Sequence, residues 1–249
     1  MNILFTICGR AGSKGIKNKN IREFCGKPLP YYTISAIDLF LKNTSLAFDA
    51  DIVVNTDSKE LIELMQKNNM RSVEIINRSD DLAGDLVGKI AVIEDCLNKM
   101  QERLNKEYDV VIDLDITSPL RTVSDLEKLV SVHLETKADV TTSVVPARRN
   151  PYFNQVMRVG KGFKKVIDSN YTARQQAPEI YDMNASMYAY KPEFLKSGKN
   201  VLDGYVECIE MYDTGILDLD HVNDFEIMEV VAKYLYDTNK QFAAIRENI

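Results

Sequence analysis

The chain opens Ile3-Leu4-Phe5-Thr6-Ile7-Cys8 and runs at once into Gly9-Arg10-Ala11-Gly12-Ser13-Lys14-Gly15-Ile16-Lys17-Asn18-Lys19-Asn20. A short apolar run stopped by glycine reads as a buried strand. Glycines at 9, 12 and 15 let the backbone turn sharply and bring N–H groups close to a ligand. Residues 10–27 carry six basic side chains (Arg10, Lys14, Lys17, Lys19, Arg22, Lys27) against one acid, Glu23, in a chain of net charge −6. A concentrated positive loop after a first strand suits a triphosphate; the alternative is a solvated Gly/Lys loop. The string is neither a P-loop nor G-x-G-x-x-G, which argues against a dinucleotide enzyme.

The rest of the chain sets the frame for that loop. Its 249 residues allow one large domain with an excursion, or two small domains. With 45% hydrophobic and 27% charged residues it has a globular balance. The acidic total excludes a general nucleic-acid binder, so no nucleic acid is expected as a partner. Cys8, Cys25, Cys96 and Cys208 are scattered, with no C-x-x-C pair, and read as reduced thiols of a cytoplasmic protein. The only histidines are His133 and His221, so zinc is not expected. No apolar run reaches membrane length, and no membrane partner is expected.

Working outward, the pattern predicts strands at 3–8, 51–55, 73–76, 108–114 and 139–145. Helices are expected at 31–41, 58–68 (with Ser58 as N-cap), 87–104 and 123–135. Such alternation implies an α/β fold, a doubly wound and mostly parallel sheet covered on both faces. Ligands of such sheets bind beyond the carboxyl ends of the strands. The rhythm changes after Pro146: residues 147–182 are rich in Arg, Asn, Pro and Tyr, with a Gly160-Lys161-Gly162 turn signal. A hairpin excursion is expected there, as a dimer arm or lid. A returning strand follows at 183–190, and the chain closes with residues 215–220 and a helix at 223–236. The domain division is therefore a core of 1–145 plus 183–249 and an inserted dimerisation arm or lid, 146–182.

Asp218-Leu219-Asp220 places two carboxylates on one face of an extended segment, an arrangement that favours a cation between them. Mg²⁺ (or Mn²⁺) fits, taking one or two carboxylates plus substrate phosphates; the alternative is a solvated pair before the last helix. Asp113-Leu114-Asp115 is a second pair, with Asp113 expected to turn away from Asp115 and to be structural. Arg148-Arg149 suits a carboxylate, which guanidinium binds with two hydrogen bonds; a surface or interface role is the alternative. Asp57, after Asn55-Thr56, either organises the site or leads into the next helix. Asp85 either lines the nucleotide site or caps a helix.

Ile7-Cys8-Gly9-Arg10-Ala11-Gly12-Ser13-Lys14-Gly15 with Lys19-Asn20 resembles the signature of the CMP-sialic acid synthetases (acylneuraminate cytidylyltransferases), roughly I-P-A-R-x-x-S-K-G-x-x-x-K-N. Cys8-Gly9 stands for the family's Pro-Ala, at positions expected only to lead into the turn. Further blocks follow in the family's order. Asn77-Arg78 through Leu82-Ala83-Gly84-Asp85 resembles R-P-x-x-L-A-x-D. Thr117-Ser118-Pro119-Leu120-Arg121 matches T-S-P-L-R, with Asp115 where the sialic acid enzymes usually carry Gln. Arg174-Gln175-Gln176-Ala177-Pro178 resembles R-Q-x-x-P, Asp182 through Tyr188 resembles P-N-G-A-I-Y, and Asp218-Leu219-Asp220 resembles the family's D-x-D. The pairing of Val145 through Phe153 with Tyr181 through Ser186 looks closest to the legionaminic-acid branch.

The resemblance implies a nucleotidyltransferase fold of the glycosyltransferase-A kind and a homodimer. It implies CTP on Arg10, Gly12, Ser13, Lys19, Asn20, Arg78, Ala83 and Asp85. It implies a nonulosonic acid near Asp115, Thr117, Ser118, Arg148, Arg149, Arg174, Gln175, Asn184 and Tyr188, and a metal on Asp218 and Asp220. Asp115 is expected on the sugar, with an extra metal ligand as the alternative. The reaction implied is attack of the sugar's anomeric hydroxyl on the α-phosphorus, with Arg10, Lys19 and Asp220 as the catalytic set and pyrophosphate leaving. The rival readings are a cytidylyltransferase for Neu5Ac, pseudaminic acid or Kdo, and a non-catalytic nucleotide sensor.

Overall fold

The computed structural model describes residues 1–12, 15–84, 87–213, 219 and 221–249. β1 (Asn2–Cys8) is buried on both faces: Ile3, Phe5 and Ile7 join one apolar cluster and Leu4 joins another across the sheet. That two-sided burial is why the run is continuously apolar rather than alternating. After a two-stranded ribbon, β2 (Glu23–Phe24) and β3 (Lys27–Pro28), come α1 (Leu29–Asn43), β4 (Asp49–Thr56), α2 (Lys59–Gln66), β5 (Glu74–Asn77), α3 (Lys89–Leu104), β6 (Val110–Leu114), α4 (Val123–Thr136) and β7 (Val140–Pro146). The second half adds β8 (Val156–Val159), β9 (Gly162–Lys165), β10 (Tyr181–Tyr190), α5 (Pro192–Leu195), β11 (Val206–Glu210), α6 (Val222–Thr238) and α7 (Lys240–Glu247).

Seven strands form the main sheet in the order β11-β7-β10-β6-β1-β4-β5. All run parallel except β10, which is antiparallel to both β6 and β7. Residues of α1, α2, α4, α6 and α7 pack into one cluster, and residues of α3 and α5 into the other. The chain leaves β1 for β4 and β5 on one side, then jumps back to β6 on the other. The β1/β6 boundary is therefore a topological switch point, the place where open α/β sheets hold ligands.

The local signals read from sequence are visible in the caps. The Ser58 hydroxyl accepts from the Leu61 N–H at 3.2 Å and starts α2. Thr122 and Asp125 cap α4 reciprocally: the Thr122 hydroxyl accepts from the Asp125 N–H, and Asp125 accepts from the Thr122 N–H at 2.8 Å. The Gly160 turn lies where expected, between β8 and β9, and this hairpin pairs only with itself.

The ribbon β2–β3 went unforeseen, and so did three later elements. β11 is a sheet-edge strand with glutamates at 207 and 210 and no long apolar run. α5 has four residues, too few to carry a period. α7 is short and polar, burying only Phe242 and Ile245, and it starts afresh where the Asn239 side chain accepts from the Gln241 N–H. Of the closing segment expected at 215–220, all but Leu219 lies outside the described residues. Among the described residues, no helix is long and apolar enough to cross a membrane.

Candidate functional site

Gly9 leaves β1 by donating its N–H to the Asn55 carbonyl at 3.1 Å. A Cβ there would lie 2.8 Å from Ile116 Cδ1 and 2.9 Å from Leu61 Cδ2. Glycine therefore lets the loop start pressed against the ends of β4 and β6. Gly12 has φ +71°, a left-handed geometry that glycine takes without strain. The Ala11 N–H donates to Asp57 Oδ1 at 2.6 Å, and Asn20 Nδ2 donates to the Arg10 carbonyl at 3.1 Å. Asp57 thus anchors the loop. Ser13 and Asp85, expected on the nucleotide, lie outside the described residues.

The loop closes over a cleft of about 420 Å³ at the switch point, lined in part by Arg10, Lys19, Asn20, Arg78, Asp115 and Thr117. Six residues from three sequence blocks therefore meet. Arg78 is fixed from behind: its Nε donates to Asn55 Oδ1 at 2.8 Å and its Nη2 to the Asn55 carbonyl at 3.0 Å. Asn55 Nδ2 donates in turn to Asp95 on α3 at 3.2 Å. Leu82 and Gly84 line the cleft on either side of Ala83. Cys8 lines it as well, so the position where the related signature has Pro is part of the wall and not merely an approach to the turn. Hydrogen bonding to Cys96 and burial push the Cys8 thiol well above its ordinary pKa, so it stands there as a neutral group.

The floor is a charged cluster that centres on Lys89, a residue the sequence reading passed over. Its ammonium lies 2.7 Å from Asp113 Oδ2 and donates to Asp115 Oδ2 at 2.8 Å. Burial alone would lower the lysine's pKa, but Asp113 and Asp115 hold it well above its ordinary value. Burial would likewise raise Asp115; Lys89 and the hydrogen bonds from Thr117 outweigh it and keep the carboxyl far below the usual range. Asp113 does not turn away from Asp115, because both reach the same ammonium. It is buried, and accepts from the Thr6 hydroxyl at 2.8 Å. Lys89 also occupies the place a metal would need between these carboxylates, so the pair does not suit a second metal site. A signal for Lys89 was present in the sequence. It opens α3, where the helix dipole mildly disfavours a cation and a neighbouring acid offsets that.

The Thr117–Arg121 block is held from inside. Arg121 is fully buried and donates through Nη2 to the carbonyls of Asp115 and Ser118, the latter at 2.7 Å. Burial pulls its guanidinium down to about 10, against the pull of Asp115, Asp113 and Asp125. Ser118 is buried and does not line the cleft. Asn184, expected on the sugar, is 2% exposed. Its Oδ1 accepts from the Ser143 hydroxyl and the Ser186 N–H, and it thereby holds a bulge of β10 in which Ala185 takes φ +50°. Tyr188 stacks on Tyr190 at 5.8 Å inside the fold.

The arginine-rich segment does not converge on this cleft within one chain. Arg148 pairs with Asp213, and Arg174 donates to the Ala147 carbonyl at 3.2 Å; both line a separate cleft beside Tyr212 and Phe242. Arg149 is exposed and donates to the Arg148 carbonyl, and Gln175 is exposed. Asp218 and Asp220 lie outside the described residues, and among the described residues no cluster of three or more His, Cys, Asp or Glu side chains could hold a metal. Leu219 between them is buried, and its N–H donates to the Thr117 carbonyl at 3.4 Å.

A cationic glycine loop after the first strand, closing over a cleft at the switch point of a largely parallel sheet, defines an α/β nucleotide-handling enzyme of the nucleotidyltransferase class. The chain belongs to the cytidylyltransferase family, whose model matches residues 4–247. It is 37% identical over 231 residues to post-translational flagellin modification protein B of Campylobacter coli, covering 93% of this chain and 95% of that one. It is 36% identical over 227 residues to the CMP-N,N'-diacetyllegionaminic acid synthase of Campylobacter jejuni, covering 91% and 93%. In fold it is similar to a CMP:2-keto-3-deoxy-manno-octonic acid synthetase complexed with CTP, with a TM-score of 0.68 at 16% identity, over 94% of this chain and 99% of that one.

Proposed function

We propose that this cytidylyltransferase moves CMP from CTP to the anomeric hydroxyl of a nonulosonic acid, with N,N'-diacetyllegionaminic acid as the first choice. The carrying observation is the meeting of Arg10, Lys19, Arg78, Asp115 and Thr117 in one cleft at the switch point. The relative named for the legionaminic product, matched over nearly its full length, supports the choice of sugar.

In this reading Arg10, Gly12, Ser13, Lys19 and Asn20 bind the triphosphate, and Arg78, Ala83 and Asp85 the cytidine. The sugar hydroxyl attacks the α-phosphorus, a new O–P bond forms, and the bond to the bridging oxygen breaks to release pyrophosphate. Little covalent chemistry falls to the protein in such a transfer; it positions the reactants and neutralises charge. Arg10 and Lys19 supply that charge. Asp218 and Asp220 would hold Mg²⁺ (or Mn²⁺), which when bound polarises phosphoryl oxygens. The hydrogen bond from Leu219 to Thr117 supports a place for this pair beside the cleft.

Residues 146–182 act as the arm of a homodimer. The hairpin exposes Val156, Met157, Val159 and Phe163, with Phe163 63% exposed. A lone two-stranded hairpin with such a surface is marginal in water and gains stability by docking. Arg148, Arg149, Arg174 and Gln175 would then serve a sugar's carboxylate at the subunit boundary. Free thiols and use of CTP fit the cytoplasm.

The test is pyrophosphate release across a panel of nucleoside triphosphates and sugar acids. CTP with legionaminic acid should give the highest kcat/KM. A preference for N-acetylneuraminic, pseudaminic or 3-deoxy-manno-octulosonic acid would move the substrate assignment. CTP binding without turnover on any sugar would leave a sensor.

A further inference from the structure

We infer that Lys89 is a specificity-determining residue of this cleft. Held between Asp113 and Asp115, its ammonium and the Asp115 carboxylate form a fixed donor–acceptor pair that reads a hydroxyl or acylamino group of the acceptor sugar. The inference rests on the proposed reaction and adds a sugar-reading residue to it.

Lys89 is anchored but not sealed. Its side chain keeps 34% of its exposure while Asp113 keeps none, and it lines the same cleft as Arg10 and Lys19. An ammonium has three donors, and the two carboxylates occupy two directions. One donor is left for a molecule in the cleft. Asp115 is held just as firmly: Oδ1 accepts from the Thr117 N–H at 2.9 Å and the Thr117 hydroxyl at 2.8 Å, while Oδ2 accepts from Lys89. A carboxylate oxygen has lone pairs to spare after one hydrogen bond. Donor and acceptor therefore lie side by side with their positions set by β6 and α3.

The hydrogen-bonding groups of this floor decide what it reads. Lys89 and the buried Arg121 both act on Asp113 and Asp115, so charge alone does not select the ligand. A phosphate, which only accepts, would meet the Asp115 oxygen, which only accepts too. The triphosphate has Arg10 and Lys19 elsewhere in the cleft. A hydroxyl or an acylamino group both donates and accepts, and matches a Lys–Asp pair without repulsion. Asp113 is buried, and an ion pair on a buried carboxylate commonly stabilises no better than apolar side chains of similar volume would. A cation at the first residue of α3 also opposes the helix dipole. The arrangement therefore points to recognition.

The experiment compares wild type with Lys89→Met, Lys89→Arg and the double variant Lys89→Met/Asp113→Asn. The double variant removes the buried carboxylate that Lys89→Met would leave unpaired, so folding is retained. Steady-state pyrophosphate release with CTP and N,N'-diacetyllegionaminic acid gives both KM values and kcat. Calorimetry gives CTP affinity, and thermal melting checks the fold. For the folded double variant, the sugar KM should rise roughly 30-fold or more, the scale of losing a designed hydrogen-bond reader. CTP affinity should stay within about threefold, and the preference for legionaminic over N-acetylneuraminic acid should narrow. Lys89→Arg should recover part of the loss. An equal rise in the CTP dissociation constant would move Lys89 to the nucleotide subsite and overturn the inference. A folded double variant with an unchanged sugar KM would leave the trio as packing only. Wild type that releases no pyrophosphate with any nonulosonic acid overturns the proposed reaction, and the role of Lys89 with it. Active wild type with an indifferent variant overturns Lys89 alone.

Discussion

Asp113 and Asp115 stand at the end of β6, a strand paired on both sides, while Arg158 and Phe163 stand on β8 and β9, a ribbon paired only with itself. On the cleft floor, charged groups are held in place by a buried lysine, a buried arginine and a threonine. On the hairpin, the Arg158 guanidinium covers an exposed Phe163 ring at 5.0 Å, and the apolar surface around it finds no cover among the described residues. The floor is pre-organised by one chain; the hairpin leaves apolar surface exposed. Residues read from sequence as one sugar site fall on both sides of this divide. Asp115 and Thr117 belong to the floor, and Arg148 and Arg174 to a separate cleft near the arm.

The difference can be broken at several points. Arg121→Met should cost about 4 kcal/mol of stability, because it leaves Asp115 and Asp125 beside a lost buried cation; chemical denaturation measures it. A loss under about 1 kcal/mol would show that the floor does not depend on its buried arginine. His133 tests the packed side through pH. Burial, with help from Lys191 and opposed by Asp139, pulls its imidazole from 6.5 down to about 4. Between those values the unfolded chain binds the extra proton and the native chain does not. Stability should therefore fall as pH drops from about 6.5 to about 4, by on the order of 3 kcal/mol in all. His133→Gln should remove that slope in pH-resolved melts.

Asp220→Asn should lower turnover by roughly 10²-fold, the scale of losing one pre-organised charge stabiliser. Near-normal pyrophosphate release at saturating Mg²⁺ would sink the metal assignment. On the arm, Arg148→Ala and Arg149→Ala should raise the sugar KM about tenfold, as for a loss of about 1.4 kcal/mol, and leave the CTP KM nearly unchanged. A change confined to CTP would take these residues out of the sugar site. The smallest expected effect on folding comes from Phe163→Asp. It should halve the mass seen by sedimentation while the far-ultraviolet circular dichroism of the sheet and helices stays unchanged. A monomeric wild type would remove the dimer from the comparison.

Strand and helix positions were largely legible because they follow from local patterns. The continuous apolar run of β1, the Ser58 cap and the Gly160 turn each act within a few residues. The glycine-rich cationic loop was legible as a sharp turn after β1 for the same reason. The antiparallel return of β10 was not, since a strand's direction depends on what it pairs with. Asn184 was read as a ligand residue because its block resembles the family's P-N-G-A-I-Y. Its role at the bulge depends on Ser143 and Met211, which are distant in sequence.

The sequence by itself determined that this chain is a covered, mostly parallel α/β sheet with a glycine-rich cationic loop after β1. Those features are written in period, composition and glycine placement, and they need no partner across the fold. Tertiary structure alone decided that Lys89, 24 and 26 positions before two aspartates, would stand between them. Charge pairing across a sheet and a helix is a matter of distance in space. A one-dimensional pattern does not record which acids a lysine will meet.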